Sequence, residues 1–137
     1  MSKIILLVED NADDSIITLR ALRKARVADE IIVARNGAEA LDYLFGTGLY
    51  EGRDTSIMPA VVLLDLKMPK IDGFEVLQRI RSSAATKTLP VVIITTSNEE
   101  KDIKRSFDLG ANGYLPKPVD YIRFAEDVKQ LAIYTGS

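Results

Sequence analysis

The sequence predicts a doubly wound α/β fold, a parallel sheet covered by helices on both faces. Three runs, 4–8, 60–64 and 90–94, are almost unbroken Val, Ile and Leu, the composition of central parallel strands that never meet solvent. Five β-type runs of this kind alternate with five stretches of helical spacing, the ordering that a parallel sheet with helical crossovers requires. At 137 residues the chain is expected to form one domain over 1–137, with no appended output module.

The elements follow in order. A first strand, Ile4 to Val8, leads into a helix with Ala12, Ile16, Leu19 and Leu22 on one face. A second strand over Ile31 to Ala34 precedes a helix capped by Asn36, with Glu39 three residues on and Ala38, Leu41, Leu44 and Phe45 on one side. The segment from Gly46 to Ser56 is long for a connection inside a compact domain. It reads either as a tolerated surface insertion or as a partner contact anchored by Tyr50 and Arg53.

The third strand, Ala60 to Leu64, is followed by a helix that Asp72 can cap and that turns Phe74 and Leu77 inward. After the fourth strand, Pro90 to Ile94, Ser97 and Glu100 form a capping box for a helix whose strong inward anchors are Ile103 and Phe107. A short fifth strand, Gly113 to Leu115, precedes a last helix opened by Asp120, with Phe124, Val128 and Leu131 inward.

Composition excludes several chemistries. There is no histidine and no cysteine, which removes Ser-His-Asp hydrolysis, Cys-His nucleophiles, disulfides and Cys/His zinc sites. Whatever chemistry exists must use carboxylates, hydroxyls and lysine. The 18 basic residues are scattered and the net charge is −2, so no phosphate-binding face for nucleic acid is expected. Without a signal peptide or a long apolar span, the expectation is a cytoplasmic protein, not membrane-inserted.

The chemistry-bearing residues gather at strand ends. Glu9 and Asp10 follow the first strand, Asp65 the third, Thr95 the fourth, and Lys117 lies just beyond the fifth. In open α/β sheets ligands sit beyond the carboxyl ends of the strands, at the switch point in strand order. Each residue alone reads as a turn, a cap or a solvated lysine, but five such groups on one sheet edge read as a site. Three clustered acids repel one another unless a cation joins them or one stays protonated, and oxygen ligands of this kind suit Mg²⁺.

At this point the sequence resembles the receiver domain of two-component response regulators. The resemblance rests on Val8-Glu9-Asp10-Asn11, on Leu64-Asp65-Leu66-Lys67-Met68-Pro69 with Asp72-Gly73, on Leu89-Pro90 through Thr95, and on Gly113-Tyr114-Leu115-Pro116-Lys117-Pro118. It implies a flavodoxin-like (βα)5 fold with strand order 2-1-3-4-5. It implies that Asp65 accepts a phosphoryl group from a phosphohistidine, and that Glu9, Asp10, Asp65 and the Lys67 backbone carbonyl hold Mg²⁺ or Mn²⁺. Thr95, Lys117 and Tyr114 become the phosphate-binding and switch residues, Lys67 and Ser97 the positions that tune phosphoryl lifetime, and Lys117-Pro118 a candidate cis peptide.

The chain departs from the family pattern in carrying Glu9 where aspartate is commoner. The segment from Gly46 to Ser56 and the run Thr95-Thr96-Ser97 further resemble the stand-alone receivers that serve phytochrome-type sensor kinases. With no histidine of its own, the chain would need a sensor histidine kinase, a histidine phosphotransfer protein or a small acyl phosphate as donor, and a downstream protein target. It would not be an enzyme beyond catalysing its own phosphorylation and dephosphorylation.

The alternative is a receiver-like scaffold that binds partners without phosphorylation. Flavin binding is disfavoured because the acids from Glu9 to Asp14 repel phosphate, and a dehalogenase-type phosphatase because Lys67 stands where its second acid belongs. The mixed charges Asp102, Lys104, Arg105, Asp108, Arg123, Glu126, Asp127 and Lys129 read as a solvated face, compatible with a monomer or weak homodimer.

Overall fold

The structure, a computed structural model, describes residues 3–26, 28–69, 71–96 and 99–127. Five strands, β1 (Ile4–Val8), β2 (Glu30–Ala34), β3 (Val61–Asp65), β4 (Val91–Thr95) and β5 (Gly113–Pro116), form one sheet in the order β2-β1-β3-β4-β5. All four pairings are parallel. The helices are α1 (Ala12–Ala25), α2 (Gly37–Phe45), α3 (Gly73–Ser82) and α4 (Glu100–Asp108), with α5 described over residues 121–127. This is the predicted flavodoxin-like arrangement.

Successive strand residues point to opposite faces, and the two cores follow that alternation. On one face Leu6, Val8, Val62, Leu64, Val91 and Ile93 pack under α2 and α3, against Leu44, Leu77 and Ile80. On the other, Ile5, Leu7, Val61, Leu63, Val92 and Ile94 meet Leu22 of α1 and Phe124 of α5. Every residue of β1, β3 and β4 is buried, as their unbroken apolar runs required.

Local signals fix the helix starts. Asn11, Asn36 and Asp72 each accept a hydrogen bond from the backbone amide three residues on, at 2.9, 2.8 and 3.0 Å. Asp120 takes the amide of Ile122 at 2.9 Å. α2 ends on Gly46 at φ +65°, a left-handed conformation that favours glycine.

Several expectations need correction. Ile16 and Ala38 face solvent, with Thr18, Ala21 and Leu22 making the inward face of α1 and Gly37, Ala40, Leu41, Tyr43 and Leu44 that of α2. Phe107 is 47 % exposed, and Ser106 is the buried residue of α4. Its hydroxyl donates to the Asp102 carbonyl at 2.8 Å, so a polar side chain can stand on the inner face already satisfied. α4 starts two residues late for a Ser97 cap: its N-cap is Glu99, whose carbonyl accepts from Asp102 and Ile103. Ser97, Val128, Leu131 and Lys129 lie outside the described residues.

The 46–56 segment is fastened to the domain. Arg53 donates to the carbonyls of Tyr43 at 2.5 Å, Ile57 at 2.8 Å and Asp54 at 3.1 Å, and its guanidinium stacks on the Tyr43 ring. Tyr50 meets Tyr43 edge to face with centroids 5.1 Å apart. Both supposed partner anchors therefore turn inward, and the exposed apolar side chains of this region are Leu49 and Ile57.

Candidate functional site

The register of the central strands assembles the site. Val8 lies beside Leu64 in the β1–β3 pairing, so Glu9 and Asp10 leave β1 level with Asp65 at the end of β3. Asp65 pairs with Ile94, and Thr95 with Pro116, which carries the same edge across β4 to Lys117. Carboxylate oxygens of Glu9, Asp10 and Asp65 all lie within 4.8 Å of one another. Glu9 and Asp65 are buried while Asp10 is exposed, so the cluster opens to solvent on one side.

Lys117 holds the acids together. Its Nζ donates to Glu9 Oε1, to Asp65 Oδ2 at 3.0 Å and to Asp14 Oδ2 at 3.2 Å. The Lys117-Pro118 bond is cis, as expected. Burial works against the ammonium, yet the hydrogen bonds to Glu9 and Asp65 outweigh it and hold the lysine above its ordinary pKa. Burial pushes the Glu9 carboxyl up to about 7, with Asp65 beside it adding to the rise. Like charges at this distance cannot all ionise freely.

The turn after β3 is built around one glycine. A Cβ on Gly73 would stand 2.4 Å from the Asp65 carbonyl oxygen and 2.7 Å from Leu66 Cα. Only glycine lets α3 start directly against the backbone that carries Asp65, and its amide donates to the Leu66 carbonyl at 3.0 Å. The Lys67 amide donates to Asp65 Oδ1 at 3.3 Å, while the Lys67 side chain is exposed.

Of the residues picked out in the sequence, Glu9, Asp10, Asp65 and Lys117 meet directly. Thr95 is buried at the end of β4, and Tyr114 is half-buried on β5; both are engaged in further contacts. Ser97 lies outside the described residues. Asp14 is the residue that sequence reasoning missed. A first-turn acid of α1 reads as a helix-dipole preference, and its signal was its place in the first turn of a helix that opens at the sheet edge just after Glu9 and Asp10.

The oxygen-rich trio fits a hard divalent cation. Mg²⁺ takes few protein carboxylates and keeps waters, and the exposed Asp10 leaves room for them. Lys117 reaches two of the same acids, supplying the compensating charge.

The family model "Response regulator receiver domain" matches residues 5–129. Among curated proteins, "Response regulator Rcp1" of Synechocystis is 42 % identical over 115 residues, spanning 84 % of this chain and 76 % of that one. The solved structure of "Bacteriophytochrome response regulator RtBRR" is similar at 47 % identity and a TM-score of 0.86, covering 96 % of this chain and 78 % of the other. A phosphorylated cyanobacterial phytochrome response regulator, RcpA, matches at 38 % identity and TM-score 0.78, with 98 % and 94 % covered. The Mn²⁺-bound form of Rcp1 matches at 36 % and 0.76, with 96 % and 93 % covered.

Proposed function

The chain belongs to the response regulator receiver domain family, and we propose that it works as a phosphoryl-accepting switch with Asp65 as the acceptor. The observation that carries this reading is the Asp65 carboxylate, buried at the strand end with Lys117 Nζ at 3.0 Å and the acid pair beside it. A sensor histidine kinase or histidine phosphotransfer protein supplies the phosphoryl group. The similar RtBRR is a bacteriophytochrome response regulator and RcpA a cyanobacterial phytochrome response regulator, which supports a phytochrome-type kinase as the donor. This chain, with no histidine, cannot be its own phosphohistidine.

In the transfer, an Asp65 carboxylate oxygen forms the new bond to phosphorus as the phosphorus–nitrogen bond of the donor breaks. The imidazole leaves with that electron pair and keeps or gains one proton. Such transfers depend mainly on positioning and charge neutralisation. Glu9, Asp10, Asp65 and the Lys67 carbonyl would hold Mg²⁺ or Mn²⁺, which supplies charge neutralisation for the transferring group. The Mn²⁺-bound Rcp1 relative supports that choice of ion. Lys117 donates to Asp65 before transfer and pairs with a phosphoryl oxygen after it.

Thr95, next to the site on β4, donates its hydroxyl to a second phosphoryl oxygen, and Tyr114 follows it inward. The α4-β5-α5 surface changes with them and is read by a downstream protein. Lys67 and Ser97 set how long the acyl phosphate lasts. The protein is a switch in the cytoplasm and not an enzyme with a separate substrate. No helix among the described residues is long and apolar enough to cross a membrane.

Intact mass after incubation with acetyl phosphate tests the reading. One phosphoryl adduct that appears with Mg²⁺, and disappears with chelator or in Asp65→Asn, is expected. Full labelling of the folded Asp65→Asn protein would overturn the assignment. No adduct on folded wild type would favour the phosphorylation-independent scaffold.

A further inference from the structure

Lys117 has three N–H donors, and three carboxylates take them: Glu9, Asp65 and Asp14. Two of these belong to the trio that fits a divalent cation, whereas Asp14 does not. A cation bound by the trio draws on the negative charge of Glu9 and Asp65. Asp14 is then the acceptor left to Lys117. We propose that Asp14 is a positioning residue that keeps the Lys117 ammonium at the site when the metal claims its other two partners.

The geometry suits that role. Asp14 lies in the first turn of α1, and its own backbone amide is held by the Asn11 side chain at 2.9 Å. The carboxylate is thus presented from a capped helix, with no cap bond resting on it. Its side chain is 39 % exposed against 9 % for Lys117, so it reaches the buried ammonium from the solvent side. Lys117 follows the end of β5 and precedes the cis bond to Pro118, and the partners of its Nζ all come from other elements. Together with Ile17, Thr18, Thr96 and Pro118, the pair lines a niche beside the acids.

The inference rests on the metal site of the receiver reading, and Mn²⁺ binding tests it without any phosphoryl transfer. Free Mn²⁺ is followed by electron paramagnetic resonance during titration of wild type, Asp14→Asn, Lys117→Met and the double variant. Asp14→Asn is expected to weaken Mn²⁺ binding roughly threefold to tenfold when Lys117 is present, the size of coupling usual for groups in direct contact. In the Lys117→Met background the same change should have less than about a twofold effect, because there is no ammonium left to hold. Asp14→Glu should restore most of the affinity.

An equal loss in both backgrounds would make Asp14 an ordinary long-range charge, and no loss in either would make it a helix-start acid only. Both outcomes overturn the positioning role. If wild type itself fails to bind Mn²⁺, the metal reading falls first, a result separable from the other two. Thermal melting of each variant confirms that it is folded.

Discussion

The guanidinium of Arg105 lies over the ring of Phe74, with its central carbon 4.1 Å from the ring centroid. Phe74 is the residue after Gly73, so the contact links α4 to the turn that carries Asp65. Ser106 is the buried residue of α4, and the Arg105 contact ties the exposed side of that helix to α3. Removing the cation should loosen it.

Arg105→Ala is therefore expected to cost about 0.5–1 kcal/mol and to speed amide exchange in α4 selectively. Hydrogen exchange read by mass spectrometry checks it. Uniform acceleration across the sheet would show that the contact matters only to global stability.

Gly73→Ala places a methyl group inside the Asp65 and Leu66 backbone. Overpacking of this kind costs about 1–3 kcal/mol. Urea melts should show the loss, and acetyl phosphate labelling of the folded fraction should be slowed, because the backbone that must yield carries Asp65, the proposed acceptor. Unchanged labelling would mean that α3 moves instead.

The pH dependence of the metal-free protein should report Glu9. A carboxyl raised from 4.5 to about 7 in the folded state binds its proton more tightly folded than unfolded. Its stabilising contribution is present at low pH and is lost as pH rises through about 7. The chain has no histidine, so few other groups titrate between pH 5.5 and 8. Melting in chelator should thus occur at a lower temperature at pH 8 than at pH 5.5, with an upper bound of about 2 kcal/mol on the difference. Added Mg²⁺ should narrow the gap, since it favours the ionised form.

Arg53→Ala removes the donor to the Tyr43, Asp54 and Ile57 carbonyls. A loss of about 2 kcal/mol is expected from the unmatched acceptors. Proteolysis between residues 46 and 56 should accelerate, while Asp65 labelling stays at the wild-type rate. A large drop in labelling would tie the insertion to the site.

Much of this was legible in the residues. Unbroken Val-Ile-Leu runs located the three central strands, and short polar signals at Asn36, Asp72 and Asp120 located three helix starts. The strand ends were read one residue early at Asp65 and Thr95, because sheet pairing continues through the backbone whatever the side chain. Facing was harder to read than existence. Ile16 and Phe107 look inward by periodicity, but Thr18 and Ser106 take the inner positions. A hydroxyl that bonds to its own helix, as Ser106 does, escapes the usual penalty for a buried polar group.

The direct meeting of Glu9, Asp10, Asp65 and Lys117 followed from strand order, since a parallel sheet brings strand ends to one edge. Asp14 and Arg53 were not legible in their actual roles. Asp14 meets a lysine 103 positions away, Arg53 folds back onto the Tyr43 carbonyl, and only the packing of α1 against the β5 end, or of the insertion against α2, reveals these contacts.

Glu9 and Lys117, joined in one ion pair, stand 108 positions apart in the chain. During synthesis the acids of β1 and β3 emerge long before the lysine that neutralises them. A nascent chain, or one cut short of Lys117, holds a cluster of negative charge with no resident counter-charge and therefore a poor acceptor for an anionic group. If the chain works as the proposed phosphoryl acceptor, that capacity arrives only with the last strand.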